Sequence, residues 1–131
     1  MAYNVLGDLQ ELEFNSSVTC KNKCAILTKD NFVCLMDNLT LNNYVNNTAL
    51  TTLPETMRPT NIMVKPCYLL LNGIKELTPV TINSNGDILL DIDVSSGTLY
   101  FNGFNFCVDD TYYNNEIGNN FPSWTSNLEG E

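Results

Sequence analysis

From Phe14 onward, apolar residues fall in short runs that alternate with polar ones, and the runs are separated by turns rich in Asn, Ser, Gly and Pro. That spacing predicts β-strands and leaves no room for long helices between them. "SSVTC" (16–20) and "CAILT" (24–28) flank "KNK" as the arms of a hairpin would. "NFVCLMDNLTL" (31–41) and "TALTTL" (48–53) come next, then "NIMVKPCYLLL" (61–71), in which Pro66 marks an edge, a bulge or a strand start. "PVTINSNGDILLDIDV" (79–94) reads as the clearest hairpin, with "NSNG" as its turn. In it Asp87, Asp91 and Asp93 share one face, while Ile88, Leu90, Ile92 and Val94 share the other. "SSG" (95–97) then turns the chain into "TLYFNGFNFCV" (98–108).

The two ends differ from this middle. Ala2, Val5, Leu9 and Leu12 recur at spacings of three and four, the rhythm of a helical seam, so residues 1–13 are expected to form a short N-terminal helix. That helix would either pack on its own domain or form the last turns of a trimeric stem. Residues 14–108 are expected to form an all-β head, an antiparallel β-sandwich of jelly-roll-like form. Residues 109–131 lose the alternation and form an acidic arm carrying Tyr112, Tyr113, Phe121 and Trp124. Exposed aromatics are platforms for sugar faces, so Tyr112, Tyr113 and Trp124 are the candidate binding residues. The more ordinary role for the same three side chains is as anchors that hold the arm on the head.

Composition narrows the function classes. At 131 residues with 44% apolar content, the chain has the size and composition of one domain with its own core. Fifteen acidic residues against 6 basic ones give a net charge of −9, which argues against nucleic acid and anionic membrane surfaces as partners. No run approaches the ~20 apolar residues of a bilayer span, so membrane insertion is not expected. The start, "MAYNVLGDLQELEF", lacks the basic region of a secretory signal.

With 0 histidines, no Ser–His or Cys–His pair is available for nucleophilic catalysis. Cys20, Cys24, Cys34, Cys67 and Cys107 are scattered and odd in number, which does not suggest a disulfide framework. "CKNKC" (20–24) lacks the second ligand pair that structural zinc requires. "NSNGD" lacks the leading Asp and distal Glu of a calcium loop. No phosphate-binding glycine loop is present, and the triplets at 15–17, 38–40 and 46–48 are ordinary in an Asn-rich chain. The expectation is a protein without cofactor, metal or reaction.

The remaining signal is "LTTLPETMRPTN" (50–61), which holds the single arginine. Pro54 and Pro59 push Leu53 and Arg58 toward extended backbone, leaving a short loop between two strands. Arg58 is then placed to cross that corner and bond backbone carbonyls or a neighbouring carboxylate. Leu53-Pro54, Arg58-Pro59, "VTINSNGDILL" (80–90) and "TLYFNGFNF" (98–106) together resemble the C-terminal heads of bacteriophage tail-fibre, baseplate and head-fibre proteins. The resemblance covers roughly residues 32–108 and departs at "ETM", where those families commonly carry a glycine and an aromatic. It implies a compact β-sandwich, usually a homotrimer, at the tip of a virion appendage assembled in the host cytoplasm. Partners would be other virion proteins and a host-surface glycan or protein. A decoration or assembly protein that binds only viral partners is the alternative, and a glycan-degrading enzyme is a third class.

Overall fold

A computed structural model describes residues 7–28, 30–101 and 104–108. Strands β1 (Gly7–Glu11), β2 (Val18–Thr19), β3 (Cys24–Thr28) and β4 (Phe32–Leu35) come first. Strands β5 (Leu39–Tyr44) and β6 (Ala49–Thr52) lead into a 3-10 turn at Glu55–Met57. Strands β7 (Met63–Leu71), β8 (Ile74–Ile82), β9 (Asp87–Leu90), β10 (Val94–Leu99) and β11 (Asn105–Cys107) follow. The chain is all-β, and its strand pairs are antiparallel.

Four strands form one sheet in the order β1-β3-β4-β11, and seven form a second in the order β2-β5-β10-β7-β8-β9-β6. The larger sheet curls until its edges nearly meet. Phe14 bridges Thr51, the Asn15 N–H donates to Leu50 O at 2.8 Å, and Thr51 Oγ1 donates to Glu13 O at 2.6 Å. These contacts satisfy backbone groups that an open sheet would leave at its rims. Ala25, Val33 and Phe106 from the smaller sheet join Leu41, Ile82 and Leu90 from the larger one in a single buried core.

Among the described residues of the expected N-terminal helix, 7–13, no helix is formed. Residues Gly7–Glu11 are an edge strand paired with β3, Leu9 opposite Ile26 and Glu11 opposite Cys24. Leu9 is 47% exposed while Leu12 is buried, so these two members of the supposed seam do not act together. Ala2 and Val5 lie outside the described residues. The physical reason is competition. A helix of under two heptads is marginal on its own, whereas the open edge of β3 offers a ladder partner to each residue of the stretch.

Two turn expectations and one of alternation are also corrected. "CKNKC" is not a hairpin, because β2 belongs to the larger sheet and β3 to the smaller. The loop between them is a crossover held by Asp37, whose carboxylate accepts the Lys21 N–H and, at 2.8 Å, the Asn22 N–H. Those backbone donors hold the Asp37 carboxyl below its usual range. "SSG" does not turn the chain but lies inside β10, where a Cβ on Gly97 would stand 2.7 Å from Leu70 O. The acidic alternation of 87–94 stops at Leu90. Ile92 is exposed, and Asp93 accepts the Asn46 N–H at 2.8 Å across the gap between β9 and β10.

The hairpin at 83–86 is present, with the Asn83 N–H donating to Asp87 O (2.8 Å) and the Gly86 N–H to Asn83 O (2.9 Å). A longer hairpin precedes it. β7 and β8 pair over nine positions each, joined by Asn72 and Gly73 at positive φ (51° and 79°), the two-residue turn that matches strand twist. Within it Pro66 stands opposite Pro79. A directly opposed pair lacking both N–H groups is the non-hydrogen-bonded kind, so both ring nitrogens point away from each other. On Pro66's side β10 pairs only with Leu69 and Leu70, and β9 begins pairing with β8 at Val80. Neither proline removes a ladder bond.

Tyr44 ties the curl together. Its ring is 1% exposed, and its hydroxyl donates to Thr48 O at 2.5 Å and accepts the Leu90 N–H at 2.9 Å. Burial pushes the phenol pKa up. Tyr44→Phe leaves a buried amide and a carbonyl without their partner, so chemical denaturation should show a loss of about 1–3 kcal/mol. A change within a few tenths would mean that this hydroxyl does not hold the sheet closed.

Candidate interaction surfaces

The proline-flanked corner is a knot of three chain segments. The Leu53 N–H donates to Gly86 O, and Leu53 O accepts from Arg58 Nε, both at 2.9 Å. Pro54 precedes the 3-10 turn, Met57 at its end is fully buried, and Pro59 is buried as well. Gly86 has φ 98°, and a Cβ there would meet Leu53 O at 2.7 Å and Arg58 Nε at 2.9 Å. The guanidinium therefore lies against the β8–β9 turn, partly buried, with its Nε engaged by backbone. That is the geometry of a strut. We expect Arg58→Ala to cost about 1–3 kcal/mol by leaving the Leu53 carbonyl unpaired. Arg58→Lys should not restore it, because the side-on Nε donor is lost. Gly86→Ala should destabilise through the same contact; unchanged melting of all three variants would show that the corner is not a strut.

Beside β11 lies a cleft of about 260 Å³ lined by Phe32, Met63, Lys65, Asn105, Phe106 and Cys107. Lys65 Nζ donates to Asn105 O at 2.5 Å and stands 5.7 Å from the Phe104 ring, which stacks on Phe101 at 4.6 Å. The lysine thus bridges the two sheets, with its ammonium over an aromatic face.

An exposed apolar feature lies on the outer face of the β7–β8 ribbon. Cross-strand register places Val64 beside Thr81, Pro66 beside Pro79, Tyr68 beside Leu77 and Leu70 beside Lys75. Val64, Tyr68 and Leu77 are 60%, 49% and 62% exposed. Among these eight positions the only charge is Lys75, whose Nζ lies 5.6 Å from the Tyr68 ring and 4.6 Å from that of Tyr100. The strip is apolar and acid-free on a chain of net charge −9. The sequence carried its signal, since "MVKPCYLLL" is apolar on both strand faces, a pattern that also fits a fully buried strand.

The five cysteines carry no disulfide. Desolvation raises the thiol pKa of Cys20 and Cys24. Among the described residues no group of three or more metal-ligating side chains comes together. Tyr112, Tyr113 and Trp124 lie outside the described residues. No protein-family model matches the sequence, and neither does any curated protein.

Cys67 is buried, its Sγ donates to Tyr100 O at 3.0 Å, and burial pushes its pKa up to about 11. The raised value means the fold favours the protonated thiol. Its contribution to stability is complete below the ordinary value of 9.0 and is lost as pH rises through about 11. Cys67 should be the slowest of the five thiols to alkylate near neutral pH, and Cys67→Ala should flatten the loss of stability between those two pH values. Rapid labelling of Cys67 in the folded protein would contradict the assignment.

Proposed function

We propose that the chain is a bacteriophage virion protein, the head of a tail-fibre, baseplate or head-fibre appendage, acting in attachment to the host surface. It is a building and adhesive unit with no reaction of its own. The observation that carries this reading is spatial. Three of the four pieces on which the resemblance rests, Leu53-Pro54, Arg58-Pro59 and the hairpin at 80–90, meet in one hydrogen-bonded knot around Gly86. The two antiparallel sheets are compatible with a jelly-roll-like sandwich whose larger layer has curled.

The head is proposed to act as a homotrimer, so that weak single contacts with a host glycan or protein add into avidity. With no helical seam at residues 7–11, the surface proposed for association is the outer face of the four-stranded sheet. There Leu9, Ile26 and Cys34 stand in one cross-strand row, and Phe32 is 42% exposed.

Mass determination in solution at micromolar concentration should give three chains per particle. Leu9→Asp, an exposed substitution, should weaken that association at least tenfold while the fold is kept. A monomer would refute the assembly proposal. Flanking reading frames for tail, baseplate or capsid proteins support the virion class, and flanking metabolic genes would overturn it.

A further inference from the structure

Around Tyr68 the outer face of the larger sheet carries the chemistry of sugar recognition. We propose that Tyr100, Tyr68 and Leu77 form a platform for an uncharged oligosaccharide, with Lys75 positioning the rings and Thr98 and Thr40 bonding the sugar hydroxyls. The proposal rests on the attachment reading above and names the class of ligand for it.

Cross-strand register builds the platform from three strands. Tyr68 stands opposite Leu77 on β8, and Leu69 opposite Leu99 on β10. One step further the Tyr100 N–H donates to Tyr68 O at 2.9 Å, so Tyr100, Tyr68 and Leu77 make one row across β10, β7 and β8. In the next row Thr40, Thr98, Leu70 and Lys75 follow one another across β5, β10, β7 and β8. Leu39, Leu41, Leu69 and Leu99 beside them are buried, which turns both rows outward. Lys75 reaches back between the tyrosines, its Nζ 5.6 Å from the Tyr68 ring and 4.6 Å from that of Tyr100. An ammonium shared by two rings favours one placement of each, so the platform is ordered before a ligand arrives.

These parts match what a pyranose offers. Its C–H face stacks on aromatic rings, and its hydroxyls need polar partners at the edge of the stack. Strands lie about 4.8 Å apart, so the row from Tyr100 to Leu77 repeats at close to the spacing of successive pyranose units. The hydroxyls of Thr98 and Thr40 stand one row away.

Charge and size select the occupant. The two rows hold no carboxylate, and their single ammonium already lies over two rings. A polyanion would find only that one cation on a chain of net charge −9, whereas an uncharged sugar meets no repulsion. β7 and β8, some 30 Å long and about 5 Å apart, present with the end of β10 less than about 400 Å². That is half of the roughly 800 Å² which each partner buries in a stable protein association. A few sugar units fit such a face, and a subunit does not.

A printed array of neutral and acidic oligosaccharides, probed with the full-length protein, tests the class of ligand. Calorimetric titration of the best-retained neutral glycan tests the site. Tyr68→Ala should weaken that affinity about tenfold through the loss of one stacked ring. Thr98→Val, which keeps the shape and removes the hydroxyl, should weaken it about fivefold. Lys75→Met should weaken it and Lys75→Arg should not, because Lys75 acts by positioning the rings. Val45→Asp, at an exposed apolar position away from the platform, should leave it unchanged; far-UV circular dichroism confirms that each variant is folded. An array that retains no glycan overturns the proposal, and so does retention of acidic glycans alone. Affinity unchanged in both Tyr68→Ala and Tyr100→Ala overturns it by placing the site elsewhere. Fewer chains per particle in Tyr68→Ala, with no glycan bound, would make the strip a protein interface and overturn it too. The virion reading fails separately, through metabolic genes in the flanking reading frames, whatever the array shows.

Discussion

The peptide groups on either side of the Leu53 α-carbon are held from opposite directions, the amide by Gly86 O and the carbonyl by Arg58 Nε. Much of the larger sheet depends on that double restraint. It fixes the end of β6 against the β8–β9 turn, which sets the register of Thr51 and Thr52 on Ile88 and Asp87. β6 in turn receives Phe14 and Asn15, so the far edge of the sheet finds its partner only when the corner is in place. A guanidinium suits the position because its Nε–H projects sideways from the stem, where an ammonium has no donor.

The parts that were legible in the sequence are those governed by local chemistry. The all-β class followed from run lengths and turn residues, and the turn at 83–86 from Asn and Gly side by side with alternating strands. Stretches decided by distant partners were not legible. Residues 7–11 carry a spacing that fits a helix, and only the open edge of β3 makes them a strand. The "KNK" segment looks like a hairpin until Asp37, more than a dozen residues on, claims its amides. "NG" at 72–73 was a strong local signal overshadowed by the longer turn that follows it. The apolar strip was hidden because a strand hydrophobic on both faces reads alike whether it is buried or awaiting a partner.

Three surfaces divide the labour proposed for this molecule. The corner is rigid, its polar groups engaged by backbone, and gives shape. The four-stranded sheet carries exposed Leu9 and Phe32 for association, and the β7–β8 strip exposes Val64, Tyr68 and Leu77. Adhesion and construction ask for such surfaces and for backbone that does not move. Among the described residues, burial raises the Cys67 thiol to about 11, so that its proton is held more tightly.

The opposed rings of Pro66 and Pro79 bear on crowding. A strand that ends its pairing partway along its length ordinarily exposes donors that recruit foreign strands, the first step of fibrous precipitation. On β8 that margin begins at Pro79, next to Val80, and proline has no hydrogen to give. At high local concentration, as in the virion role proposed above, copies would meet there along a margin that offers no donor to a foreign strand.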